Sequence, residues 1–133
     1  MLKVLPIQSK LTQEELCLKS NIKYNPDALA YEATVDGRFA GICQFKVTDK
    51  GGVIYDLVPA PDFDNFEAMF VMGRGTLNFI DLCGVHNATY VGEVKDAPLL
   101  RAIGFKENDK GIFEIDLEGF FTDHCKHHKE ENK

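Results

Sequence analysis

Between Val53 and Gly84, an apolar run typical of a β-strand passes through a short turn into a long amphipathic helix. The turn ends at Asp64, and Glu67 follows three positions later, which is the pattern of a helix N-cap in a capping box. The apolar face of this helix comprises Phe66, Met69, Phe70, Gly73, Leu77 and Ile80. A strand that leads into a helix N-terminus often holds a phosphate, because the free amides and the helix dipole favour an anion. This junction therefore restricts both the fold and the place where a ligand would bind.

The same junction is acidic. Asp62, Asp64 and Glu67 crowd the turn and the first helical residues, whereas Pro59 and Pro61 have no amide hydrogen to donate. Like charges at close range near a protein surface cost about 1 kcal/mol or more per pair. The sequence thus predicts a junction of the phosphate-binding type whose side chains oppose a phosphate.

Length and charge restrict the class of protein. The 133 residues, of which 44% are hydrophobic, are enough for one core and too few for two. We expect one domain over residues 1–121 and a polar tail over residues 122–133. The net charge of -6 and a pI near 5.1 argue against nucleic acid or an anionic membrane as the main partner. Because no apolar run is long enough for a membrane span, and because Pro6 interrupts the N-terminal run too early for a secretory signal, we expect a cytoplasmic protein.

Four cysteines are scattered through the chain without a CxxC pair. This arrangement predicts reduced thiols rather than a disulfide framework or a zinc ribbon, with Cys17 and Cys43 buried as small hydrophobic side chains. The segment from Asp123 to His128 contains ligand-type side chains. Since adjacent positions in a terminal tail do not converge on one ion without a rigid element, we expect no structural metal site there.

Strand-like and helical patterns follow one another in a defined order. They are a strand at 1–7, a helix at 9–18, three strands at 28–35, 39–47 and 53–58, the long helix at 64–83, a strand at 88–94, a short helix at 96–104 and a hairpin at 105–117. The three consecutive strands, joined by short turns, predict an antiparallel meander.

This order resembles the GNAT superfamily of acetyl-coenzyme A dependent N-acyltransferases. Three segments add to the resemblance: the hairpin from Tyr31 to Gly41, the strand end Leu57-Val58-Pro59, and the helix with a closing Gly-Phe from Leu99 to Phe105. The resemblance covers residues 28–121. It implies an α+β (α/β) fold with a central mixed, mostly antiparallel sheet of six or seven strands, helices on both faces, and a splay between the fourth and fifth strands.

The resemblance also implies acetyl-CoA as the cofactor and a small-molecule or protein-borne amine as the acetyl acceptor. In the family, the pantetheine arm is held along the end of the fourth strand, which here is the backbone of Leu57, Val58 and Pro59. Pairing of two copies through an exposed edge strand near the closing hairpin would give a homodimer.

A general base is expected on or beside the fourth strand. Asp56 is the first candidate, because a carboxylate among apolar neighbours has a raised pKa suited to base work. The alternative is that Asp56 is solvated on one face of the sheet. Glu32 and Glu93, on neighbouring strands, are further candidates.

Family members often carry a tyrosine that donates a proton to the departing thiolate. The corresponding position in this chain is Leu100, which cannot transfer a proton. Tyr90 on the preceding strand is the candidate that could reach the same cleft. The alternative is that Tyr90 only packs in the core.

The family's phosphate-binding turn, Arg/Gln-x-x-Gly-x-Gly/Ala, has two candidate places in this chain. Counting from Pro59 places it at 63–67, where the sequence reads Phe-Asp-Asn-Phe-Glu. A second place is the run that contains Gly73, Arg74 and Gly75, which would then follow a longer loop. The alternative for these glycines is that they permit close packing of a helix.

Two functions of different classes follow from these patterns. The first is an N-acetyltransferase that uses acetyl-CoA. The second is a GNAT-fold binding or interaction module that has lost the cofactor, which the acidic junction and Leu100 favour.

Overall fold

The computed structural model describes residues 1–121, within which seven strands and three helices follow one another. The elements are β1 (Leu2–Pro6), α1 (Lys10–Lys19), β2 (Leu29–Val35), β3 (Arg38–Thr48), β4 (Gly51–Pro59), α2 (Phe66–Leu82), β5 (Asn87–Tyr90), α3 (Ala97–Ile103), β6 (Lys106–Glu107) and β7 (Phe113–Asp116). This is the order that the sequence predicts. The expected polar tail and the segment from Asp123 to His128 lie outside the described residues.

The described strands form a seven-stranded sheet in the order β1-β2-β3-β4-β5-β7-β6. Neighbouring strands are antiparallel except β4 and β5, which are parallel. The prediction of a mixed, mostly antiparallel sheet is therefore confirmed. β6, in the closing hairpin, lies at one edge of the sheet, and a homodimer formed near this edge stays a prediction.

Helices cover both faces of the sheet. Successive side chains of a strand point to opposite faces, and apolar side chains on each face pack against a helix. Cys43 and Leu57 belong to the larger hydrophobic core, which the sheet shares with α2 and α3. Ile42 and Val58 belong to a second cluster, which they form with Cys17 of α1. The expected helices on both faces are confirmed, and so is the burial of Cys17 and Cys43 as free thiols.

Side-chain caps fix the start of each helix. Ser9 caps α1 and Asp96 caps α3, whose predicted N-cap is thus confirmed. The prediction of Asp64 as the N-cap of α2 is wrong by one residue. Asn65 has the extended backbone of an N-cap, with φ -118° and ψ 108°, and its Oδ1 accepts the Ala68 N–H at 2.9 Å. The capping box with Glu67 therefore does not form, and the side chain of Asp64 stays outside the helix.

None of the helices in residues 1–121 combines the length and the hydropathy that a membrane crossing requires.

Candidate active site

Strands β4 and β5 pair over three residues and then diverge. Their parallel ladder covers Gly52–Ile54 and Ala88–Tyr90, and the bond that follows it is donated by the Val91 N–H to the Ile54 carbonyl oxygen at 2.9 Å. The expected splay between the fourth and fifth strands is confirmed. β5 ends at Tyr90, earlier than the sequence predicts, because the chain leaves β4 at this point.

A β-bulge lies where the strands diverge. Asp56 and Ile54 lie opposite consecutive residues of β3, so Tyr55 is an additional residue on β4. A bulge bends its strand and increases its twist. The chain after β5 also passes so close to β4 that a Cβ on Gly92 would overlap the Tyr55 carbonyl oxygen. Beyond this contact, β4 continues to Pro59 without β5 as a neighbour.

The gap between the diverging strands contains a cavity of about 230 Å³, which we name the splay cavity. It is lined by Leu57, Val58, Pro59, Asp64, Met69, Tyr90, Lys95, Asp96, Leu99 and Leu100. Most of this wall is apolar. The structure thus brings the predicted strand end from Leu57 to Pro59 together with Tyr90, and it places Leu100 in the same wall.

On the other side of the gap, two adjoining cavities of about 210 Å³ and about 390 Å³ share Lys23 and Asp56. We name them together the Asp56 groove. It is lined by Asn21, Ile22, Lys23, Tyr24, Asn25, Pro26, Tyr55, Asp56, Val58, Tyr90, Glu93 and Lys95. Val58, Tyr90 and Lys95 also line the splay cavity. The splay cavity and the Asp56 groove therefore have these three residues as a common wall, with Asp56 on the groove side.

Asp56 is half-buried, with part of its surface open to solvent. Burial raises the pKa of Asp56 above its ordinary value, and this effect exceeds the opposite influence of a hydrogen bond from Gln44 and of the Lys95 charge. Gln44 Nε2 donates to Asp56 Oδ2 at 2.8 Å. Glu93 lines the same groove, whereas Glu32 lines neither cavity.

Sequence reasoning missed two residues behind Asp56. Gln44 and Gln13 are both fully buried, and Gln13 Nε2 donates to Gln44 Oε1 at 2.9 Å. The available signal was a single amide side chain, Gln44, between apolar residues of a strand. Such a residue is costly to bury unless its hydrogen bonds are satisfied, so it indicates a specific set of partners.

Tyr90 lines both the splay cavity and the Asp56 groove. Its hydroxyl donates a hydrogen bond to the Glu93 carbonyl oxygen at 3.1 Å. Burial is the main cause that raises the pKa of Tyr90 to about 12. Tyr90 is therefore protonated at neutral pH.

The N-terminus of α2 presents both amides and acids. The N–H groups of Phe66 and Glu67 have no acceptor within residues 1–121, whereas the Ala68 N–H is bound by the cap. Asp64 lines the splay cavity. Asp62 does not, because its carboxylate and carbonyl oxygens face Arg38, at 3.6 Å and 3.1 Å from Nη2. Of the three acids at this junction, Asp64 is the one placed on the cavity wall.

The placement of a phosphate-binding turn at Gly73, Arg74 and Gly75 is wrong, because these residues lie within α2. Arg74 Nε donates to the Ile103 carbonyl oxygen at 2.6 Å. A Cβ on Gly73 would overlap the side chain of Ile103, so this glycine permits close contact between α2 and α3. A Cβ on Gly75 would meet no atom within 4 Å. The run serves helix packing rather than a turn.

Comparison with known proteins identifies the fold. No protein-family model matches the chain, and no curated protein sequence matches it. Among solved structures, the ribosomal-protein-S18-alanine N-acetyltransferase from Escherichia coli matches 88% of this chain and 94% of its own, with a TM-score of 0.68 and 12% identity. A GNAT family acetyltransferase from Elizabethkingia anophelis with acetyl-CoA bound matches 87% of this chain and 98% of its own, with a TM-score of 0.65 and 13% identity.

A GNAT family acetyltransferase from Brucella melitensis in complex with acetyl-CoA matches 87% of this chain and 88% of its own, with a TM-score of 0.64 and 13% identity. At such identities, similarity establishes the fold and not the chemistry. The chain has the GNAT fold, and the fold that the sequence predicts is confirmed.

Proposed function

We propose that this GNAT-fold chain is an N-acetyltransferase that transfers an acetyl group from acetyl-CoA to a small-molecule or protein-borne amine. One observation carries the proposal: Val58 and Tyr90 line both the splay cavity and the Asp56 groove, so that ligands in the two would approach the same residues from opposite sides. A reaction between two bound molecules requires such an arrangement.

The splay cavity suits the arm of acetyl-CoA better than its diphosphate. The wall formed by Leu57, Met69 and Leu99 is apolar, and beyond Ile54 this edge of β4 is not paired with β5. The first amides of α2 suit a phosphate, but Asp64 opposes one. We therefore expect acetyl-CoA to bind, with an affinity that this carboxylate lowers.

The residues of the chain would take complementary roles. Acetyl-CoA supplies an acetyl group activated as a thioester. Asp56 accepts a proton from the acceptor ammonium, for which a raised pKa is suitable. The Tyr90 hydroxyl, which is protonated at neutral pH and belongs to a residue that lines both cavities, would give its proton to the coenzyme A thiolate released when the amine attacks the thioester. The backbone of Leu57, Val58 and Pro59 would hold the arm along the end of β4.

A second function, a binding module that does not use acetyl-CoA, is favoured by two observations on the cavity wall. Asp64 lies where a phosphate would approach, and Leu100, at the position of the family's proton donor, lines the same cavity. Such a protein would retain the fold and bind another ligand in the gap.

Two measurements separate these functions. Calorimetric titration with acetyl-CoA and with coenzyme A tests binding, and mass spectrometry of a panel of amines incubated with protein and acetyl-CoA tests transfer. The enzyme should bind acetyl-CoA and acetylate a subset of the amines, and Asp56→Asn should reduce transfer about 100-fold or more while leaving acetyl-CoA binding unchanged. Absence of binding at millimolar ligand would refute the enzyme and leave the binding module.

A further inference from the structure

A buried amide connects the wall of the Asp56 groove to Asp56 itself. Gln44 is fully buried in β3. Its Nε2 donates to Asp56 Oδ2 at 2.8 Å and to the Lys23 carbonyl oxygen at 2.9 Å. Its Oε1 accepts from Gln13 Nε2 at 2.9 Å and from the Asn25 N–H at 3.0 Å. These four hydrogen bonds use the two donors and the two lone pairs of the amide.

The partners determine which way the Gln44 amide points. The Asn25 N–H can only donate and the Lys23 carbonyl oxygen can only accept, so an exchange of Oε1 and Nε2 would set donor against donor and acceptor against acceptor. Nε2 therefore faces Asp56, and Asp56 Oδ2 serves as an acceptor. Asp56 Oδ1 has no hydrogen bond within residues 1–121 and is not sealed from solvent. It is the oxygen that is available to the groove.

We propose that Gln44 is the positioning residue of this site: it holds Asp56 through Oδ2 so that Oδ1 faces the acceptor amine, and it fixes Asp56 relative to the Lys23 and Asn25 wall of the groove. The last step, transfer of a proton from the amine to Oδ1, rests on the proposed function. The hydrogen bonds do not. Gln13 supports Gln44 from α1 without contacting Asp56, and this difference provides a control.

Several titratable groups surround Asp56. They are Cys17 of α1, Lys23 and Tyr24 of the loop after it, Cys43 of β3, Tyr55 of β4, Tyr90 of β5, and Glu93 and Lys95 of the loop after β5. Lys95 favours the ionised carboxylate, whereas burial opposes it. Against this background, the Gln44 N–H is a donor that stabilises the ionised form, so its loss should raise the pKa of Asp56.

The test compares Gln44→Met with Gln13→Met in the coenzyme-free protein. Each substitution removes one fully buried amide and leaves its partners unpaired, so both variants lose stability. The pKa of Asp56 is followed by NMR of its side-chain carboxyl carbon, assigned by the loss of the signal in Asp56→Asn. We expect Gln44→Met to raise this pKa and Gln13→Met to leave it unchanged.

Acetyl transfer gives the second readout. Gln44→Met should lower kcat about tenfold or more, within the contribution of a general base, and should move the acidic limb of the kcat profile to higher pH. KM for acetyl-CoA should not change, because Gln44 lines neither cavity. Should Gln44→Met fail to fold, Gln44→Asn keeps an amide in the site but is one methylene too short to retain the Asp56 contact and serves in the same comparison.

The outcomes are distinct. If both glutamine variants shift the pKa of Asp56 alike, or if neither does, the positioning role is refuted whatever the activity. If only the Gln44 variant shifts it but the wild-type protein acetylates no amine, the proposed function is refuted and the positioning contact stands. If transfer is present and falls equally in both variants, the proposed function stands and the positioning role is refuted.

Discussion

Removing the charge of Asp64 should strengthen the binding of coenzyme A. Asp64 lies on the wall of the splay cavity, directly before the amides at the start of α2. Asp64→Asn keeps the size of the side chain and removes its negative charge. Asp62→Asn is the matched control, because Asp62 belongs to the same turn but faces Arg38 and does not line the cavity.

The expected size of the effect follows from Coulomb's law. Two unit charges about 4 Å apart repel by about 1 kcal/mol in water and by about 4 kcal/mol at an effective dielectric constant of about 20. Because Asp64 is exposed, the repulsion energy in water is the one that applies. A diphosphate that presents roughly two charges raises the repulsion to about 2 kcal/mol. Since about 1.4 kcal/mol corresponds to a factor of ten, Asp64→Asn should lower the Kd of coenzyme A by about fivefold to about 30-fold.

The assay is isothermal titration calorimetry of the wild-type protein and both variants at low and high salt. Salt should reduce the gain of Asp64→Asn, because the Debye length falls from about 30 Å at 0.01 M to about 8 Å at 0.15 M. Acetyl-pantetheine, which lacks the diphosphate, serves as the control ligand, and its affinity should not differ between the three proteins.

Two results would refute this reasoning. Equal gains in Asp64→Asn and Asp62→Asn would show that net charge, rather than the carboxylate on the cavity wall, controls affinity. A gain of the same size for acetyl-pantetheine would show that the substitution alters the shape of the cavity and not its electrostatics.

Three further predictions concern other residues. Because burial raises the pKa of Asp56, the folded protein binds the carboxyl proton more tightly than the unfolded chain does. Ionisation of Asp56 therefore destabilises the folded state, and the loss grows as the pH rises from the pKa of the unfolded chain to that of the folded protein. Asp56→Asn should therefore raise the melting temperature at pH 7, and a thermal series that shows no loss of this gain towards pH 3 would contradict the assignment. Gly75→Ala should stabilise the protein by about 0.5–1 kcal/mol in denaturant titrations, because alanine favours the helix and a Cβ meets no atom there. Gly73→Ala should destabilise it, because the added Cβ overlaps the side chain of Ile103. Equal effects of the two substitutions would contradict the packing described for these glycines. Tyr90→Phe should cost about 1 kcal/mol of stability, from the hydrogen bond that the hydroxyl donates to Glu93, and should lower kcat. An unchanged kcat in steady-state assays would exclude Tyr90 as the proton donor.

The sequence predicts the order of the elements well, because apolar side chains recur at strand or helix spacing in each. It predicts their ends less well where the chain leaves the sheet. Val91 and Val94 continue the apolar pattern of β5, yet they are 53% and 42% exposed. Asp64 and Asn65 are both good N-cap residues, and the backbone path of the turn, which local sequence does not show, selects Asn65.

A candidate site residue is readable from sequence where one residue carries the signal and not where distant residues share it, and the catalytic role of Asp56 stays a prediction. Asp56 stands out as a charge in an apolar strand, and the structure places it on a groove. Gln44 gives a weaker signal, because its partners Gln13 and Asn25 belong to α1 and a loop that are remote in sequence. Gly73 belongs to a run that resembles a phosphate turn, and only its tertiary contact with α3 shows that it is a packing residue.

The three-residue ladder between β4 and β5 divides the sheet mechanically into two leaves. One leaf contains β1 to β4 and the other contains β5 to β7, while α2 packs against strands of both. Separation of the two leaves is opposed by the few backbone hydrogen bonds between β4 and β5 and by the packing of α2, because the two strands are not paired along their full length. Ile54, at the end of the ladder, is the last residue of β4 that is paired with β5, and its carbonyl oxygen accepts the Val91 N–H.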